Sequence, residues 1–113
     1  MKISGTNITM VRGDTEAISV AVEDVDGIAV PLESGDKVYF TVKKGARTEA
    51  KELQKVVEDF IDGEALITIR PEDTRHMDFK VYYYDIQLTR ADGDVRTIIP
   101  MSSFTIAEEI TYE

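Results

Sequence analysis

Apolar and polar positions alternate with period two along most of this chain. Ile18, Val20 and Val22 share one parity against Ala17, Ser19, Ala21 and Glu23. Val38, Phe40 and Val42 are set against Tyr39, Thr41 and Lys43, and Ala65, Ile67 and Ile69 against Leu66, Thr68 and Arg70. In "YYYDIQL", Tyr82, Tyr84, Ile86 and Leu88 fall on one face while Tyr83, Asp85 and Gln87 fall on the other. Such runs are short, rich in β-branched and aromatic residues, and polar at every second position. That is the signature of half-buried antiparallel strands.

The breaks between runs carry turn chemistry. "DVDGIAVP" (Asp24 to Pro31), "ESGDK" (Glu33 to Lys37), "IDGEA" from Ile61 and "RADGDV" from Arg90 each pair an acidic residue with glycine, as tight turns do. Arg90 to Val95 reads as the clearest hairpin, joining the Tyr-rich strand to "VRTIIP". Pro100 then interrupts that strand, predicting a bulge or a sheet edge, and "SSFTIAEEIT" resumes the extended pattern with Phe104 and Ile106 on one face. Residues 45–60 are ambiguous. Ala50, Leu53, Val57 and Phe60 recur near helical spacing, whereas a loop followed by a strand from Gln54 to Phe60 fits the surroundings better. About seven short strands with little helix predict one all-β domain over residues 1–113, an antiparallel β-sandwich. Its sheet edges must be covered, charged or paired with another subunit.

Charge narrows the partners. The chain carries 22 acidic against 13 basic residues, a net charge of −9. That field repels nucleic-acid backbones and anionic membranes. No cysteine is present, which removes thiolate chemistry and Cys-type zinc sites and argues against a small disulfide-stapled secreted scaffold. No apolar run is long enough for a signal-peptide core or a bilayer span, so the expectation is a chain that folds in a cytoplasm.

Individual motifs resolve mostly into structural roles. In "VRGDT", alternation stops at Arg12 and restarts at Ala17, so Gly13-Asp14 is expected in a turn rather than in an integrin ligand. "PEDTRHMDFKVYYYDI" (Pro71 to Ile86) resembles the corner entering strand F of immunoglobulin domains, where a tyrosine two residues before a core position bonds back across the corner. Tyr84, two residues before Ile86, is assigned that place. Tyr82 and Tyr84 share parity with Ile86 and Leu88 and are expected in the core, although a sugar or peptide platform is the alternative. Tyr83 faces the other way and suits a contact with another subunit. His76, the one histidine, is read as a surface corner residue. Glu23-Asp24-Asp26 and Asp92-Asp94 sit on turns and lack the spacing of a calcium loop. Lys43, Lys44 and Arg47 form a basic cluster at a strand end, expected to be solvated.

Taken in order, "TMVRGDTEAISVAV", "DGIAVPLESGDKVYFTVKK", "DGEALITIRPEDTRHMDF", "YYYDIQLTRADGDVRTIIP" and "FTIAEEIT" resemble the small immunoglobulin-like β-sandwich tail and baseplate proteins of long-tailed bacteriophages and prophages. The likeness runs from Ile8 to Thr111, and it extends distantly to the N-terminal domain of phage upper-baseplate proteins. It implies an immunoglobulin-like fold and a non-enzymatic structural role by protein–protein assembly. The chain would then be made in the host bacterial cytoplasm and carried in the virion. Expected partners are other tail or baseplate proteins or copies of the chain, with no catalytic residue, metal, cofactor or small-molecule substrate. The candidate interface residues are Tyr39, Tyr83, Asp85, Gln87 and Thr89. A module binding host-surface sugar or peptide, and an intracellular regulator binding a host protein, are the alternatives.

Overall fold

Alternation along the sequence becomes burial in space. In the computed structural model, which describes residues 1–111, Val38, Phe40 and Val42 are fully buried while Tyr39, Thr41 and Lys43 between them remain partly open. The same two-residue rhythm gives β2 (Asn7–Val11), β3 (Glu16–Val20), β4 (Lys37–Lys43), β6 (Ala65–Ile69) and β7 (Val81–Thr89). The ambiguous segment resolves as a loop followed by β5 (Leu53–Val57), without helix. "PEDT" forms α1 (Pro71–Thr74), a single turn with the proline at its start, where a missing N–H costs nothing. A short strand that the pattern did not announce, β1 (Lys2–Ser4), folds back onto β2.

The last strand, β8 (Val95–Ala107), is continuous through Pro100. Pairing with β7 slips twice: Tyr84 lies opposite Ser102 and Ile86 opposite Ile99, and then Gln87 lies opposite Thr97. Asp85 therefore faces two residues, Pro100 and Met101, which is a β-bulge. It accommodates a residue that has no N–H to give to the ladder.

Six strands form one sheet in the order β1-β2-β8-β7-β4-β5, and β3 pairs with β6 in a second, two-stranded sheet. The wholly antiparallel expectation needs correction, because β2 runs parallel to β8, with Ile8 opposite Phe104 and Met10 opposite Ile106. Alternation reports which face a residue takes and is blind to strand direction. No hairpin ties β2 to β8, so nothing local constrains their relative sense.

Both sheets contribute to one hydrophobic core. Val20, Ala65, Ile67 and Ile69 of the small sheet join Ile8, Met10, Val38, Phe40, Val42, Ile86, Leu88, Phe104 and Ile106 of the large one. At its centre Phe40, Tyr84 and Phe104, from three adjacent strands, lie with ring centroids 5.3, 5.9 and 6.2 Å apart in tilted and edge-on arrangements. Such geometry suits the ring quadrupoles, and each buried ring contributes about 2–3 kcal/mol of transfer free energy.

Candidate functional site

The large sheet's outer face is built by the residues that the core leaves out. On β7 these are Tyr83, Asp85, Gln87 and Thr89, and in register beside them on β4 stand Lys43, Thr41, Tyr39 and Lys37. All five candidate interface residues thus share one face of two adjacent interior strands. Tyr83, Asp85 and Gln87 also line a shallow concavity of about 290 Å³. Tyr39 and Thr89 do not line it; they continue the row along the same face.

Most of the rest of the concavity comes from three sources, with Tyr84 of β7 completing the lining. Thr41 and Lys43 form its floor on β4, Gly45, Ala46 and Lys51 border it from the 44–52 loop, and Met101 closes it from the bulge of β8. The loop is anchored where the Glu52 N–H donates to the Val42 carbonyl at 2.8 Å and Lys44 pairs with Glu52 at 3.6 Å. A polar relay crosses the floor: Lys51 Nζ donates to Gln54 Oε1 at 3.3 Å, and Gln54 Nε2 donates to Thr41 Oγ1 at 3.0 Å. Thr41 and Lys43 were legible as the outward partners of a predicted strand. Lys51 and Met101 were not, since a loop and a bulge place them and neither follows a two-residue period.

Asp85 is the electrostatic centre of this surface. Burial raises its carboxyl above the ordinary aspartate value, and the positive charge of Lys43 offsets only part of that. Its one hydrogen-bond contact among the described residues is the Gln87 amide at 3.5 Å, near the outer limit for such a bond.

Other candidates have structural occupations. Residues 11–14 form a turn in which the Asp14 N–H donates to the Val11 carbonyl at 3.2 Å and Gly13 takes a φ of 85°. The Gly13 N–H donates to the buried Thr74 hydroxyl at 2.8 Å. The Arg12 guanidinium lies 2.7 Å from Glu109 and 4.1 Å from the Phe79 ring centroid, so it is committed to its own chain. His76 is exposed, with Nε2 3.1 Å from the Glu52 carbonyl oxygen. Asp24 accepts the N–H groups of Asp26 and Ile28, and Asp92 accepts that of Asp94. Among the described residues, no three His, Asp or Glu side chains gather as a metal site would require.

The corner before β7 corrects the tyrosine assignment. The Tyr82 hydroxyl, not that of Tyr84, spans it, accepting the Asp78 N–H at 2.8 Å and lying 3.2 Å from the Asp78 carbonyl. Tyr84 instead donates to the Thr6 carbonyl and holds the β1–β2 turn. Burial raises the pKa of both phenols above the ordinary tyrosine value, which keeps them neutral donors. Helices long and apolar enough to cross a membrane are absent among the described residues. Comparison of the chain with protein-family models, curated proteins and solved structures found no match.

Proposed function

We propose that this chain is a non-enzymatic structural component of a phage or prophage tail or baseplate, acting by protein–protein assembly on an immunoglobulin-like sandwich. The fold reading is supported by strand order: β8-β7-β4 in one sheet and β3-β6 in the other match the G-F-C and B-E cores of immunoglobulin domains. Three side chains agree with it. Tyr82 bonds back to Asp78 four residues upstream, Tyr84 takes the core position two residues later, and Phe40 packs on Tyr84 from the strand that carries the core tryptophan in antibody domains. The phage setting is supported by the sequence resemblance.

The observation that carries the assembly reading is the continuous outward row Tyr83, Asp85, Gln87 and Thr89, with Tyr39 beside it. Because β4 and β7 are paired on both sides, a partner here meets side chains alone. Strand addition at the β5 edge is disfavoured. Lys55 lies opposite the buried Phe40, hence on the inner face, and its ammonium is held 2.7 Å from Asp73. An inward-pointing charge is a device that blunts sheet edges. Face packing, with aromatic anchors such as Tyr39 and Tyr83, is the mode that this outward row suits.

Mass spectrometry of gradient-purified particles induced from the source organism tests this. Peptides of this chain co-sedimenting with tail proteins at a fixed ratio are expected. Their presence in the lysate and absence from particles overturns the virion role. Wild-type incorporation of Tyr83→Ala would remove Tyr83 from the interface.

A further inference from the structure

We propose that the concavity between the 44–52 loop and the outer faces of β4 and β7 binds a single sugar ring through side chains alone. Its floor belongs to two interior strands whose backbone groups are already paired on both sides. A peptide strand has no ladder to join there. What the floor presents is a carboxylate, an amide, a hydroxyl and an ammonium, from Asp85, Gln87, Thr41 and Lys43.

That inventory suits a ring bearing several hydroxyls, each able to donate and accept. Asp85 accepts only, Lys43 donates only, and Gln87 does both. Thr41 already accepts from Gln54, which leaves its hydroxyl proton free to donate outward. Apolar surface flanks these groups: Tyr83 is 38% exposed and Met101 59% exposed. An aromatic body with a polar tip offers a ring face on which the C–H side of a sugar can rest. Met101 is there because the Pro100 bulge places two residues opposite Asp85, and bulges re-aim side chains in this way beside binding sites.

Size and charge bear on the occupant. About 290 Å³ lies just below the roughly 300–1,000 Å³ range of ligand pockets, which suits one ring rather than a chain. Lys43 and Lys51 would draw a phosphate group, whereas Asp85 on the floor and a net charge of −9 oppose it, so the titration sets phosphate against the sugars. Asp85 also carries a desolvated carboxyl with no ion pair of its own among the described residues. A group held at a cost to stability is common where binding needs it. A partner packed on this face would cover the concavity, so sugar binding is a property of the free chain, and it and the assembly role fail by separate measurements.

The test is a titration of the full chain, followed by backbone amide NMR, with glucose, galactose and N-acetylglucosamine separately, and with inorganic phosphate and glycine as competing chemistries. Saturable shifts from at least one sugar, confined to Thr41, Lys43, Tyr83, Asp85, Gln87 and their neighbours, are expected. Tyr83→Ala and Gln87→Ala, both outward and outside the core, should each weaken that sugar about tenfold, a loss of one good contact. Three results overturn the proposal. They are no saturable shift from any sugar, tighter saturation by phosphate or glycine than by every sugar, and sugar shifts that both variants leave unchanged.

Discussion

Lys55 Nζ lies 2.7 Å from Asp73 Oδ2, tying the edge strand β5 to the single turn of α1. Asp73 Oδ2 also accepts the Arg70 N–H at 2.7 Å. Burial pushes the Asp73 carboxyl up, but the Arg70 N–H and the Lys55 ammonium together outweigh it, and the net shift is downward from 3.8. A carboxyl whose pKa is lower in the folded state stabilises the fold above its unfolded value and ceases to do so as pH falls through the folded one. Stability should therefore decline on acidification below about pH 4. Glu109, drawn down by Arg12, contributes in the same direction. Lys55→Met should cost about 1 kcal/mol at neutral pH and flatten the acid limb, as read by urea unfolding at successive pH values. An acid limb as steep as wild type would show that Asp73 does not depend on this pair.

Tyr82→Phe removes the hydroxyl that spans the corner and leaves the Asp78 N–H without that partner. The expected loss is about 1–2 kcal/mol, with faster amide exchange at Asp78. Tyr84→Phe should cost a similar amount but loosen the β1–β2 turn through Thr6. If Tyr82→Phe unfolds at the wild-type urea concentration, the corner is held by packing alone.

Asp36 is buried beside the turn that precedes β4. It accepts the Glu33 N–H at 2.9 Å, the Ala91 N–H at 3.1 Å and the Arg90 guanidinium at 3.1 Å. Asp36→Ala strands all three donors and should cost about 3 kcal/mol. Its neighbour Gly35 has φ 95°, and a Cβ there would lie 2.9 Å from that of Ala91. Gly35→Ala should thus also destabilise, by backbone strain and crowding together. Calorimetry of both variants checks the pair, and a neutral Asp36→Ala would mean that the two loops do not need this carboxylate.

Asp85 makes the opposite forecast. Its folded pKa is raised by burial, so folding favours the protonated form, and stability is lost as pH rises from about 3.8 through the folded value. At neutral pH the whole penalty is present, and Asp85→Asn should raise the melting temperature. The gain should shrink as pH falls into the carboxyl range. A lower melting temperature for Asp85→Asn at neutral pH would show that the ionised carboxylate stabilises the outer face.

Much of this fold was readable from alternation, because burial of one face imposes a strict period of two on Val38–Val42, Ala65–Ile69 and Tyr82–Leu88. Asp-Gly steps placed the hairpin at Arg90 to Val95, where the Gly93 N–H donates to the Arg90 carbonyl. What escaped had physical reasons. Three residues of β1 are too few to show a period, and the direction of β2 leaves no trace in alternation. The roles of Tyr82 and Tyr84 differ by one turn of the pleat, and both are core positions. At the candidate site, Tyr83, Asp85 and Gln87 were found by parity. Met101 depended on a bulge whose existence Pro100 announced but whose register it did not.

The parallel ladder between β2 and β8 has a bearing on how the molecule is made. Ile8 and Met10 leave the ribosome well before Phe104 and Ile106, which lie opposite them. Contacts this distant along the chain form slowly. Until then, among the described residues, β1 is the one neighbour available to β2 within its own sheet. The six-stranded sheet thus closes only once β8 is made, and a nascent chain halted before it holds a β1–β2 hairpin that lacks its ladder partner in that sheet.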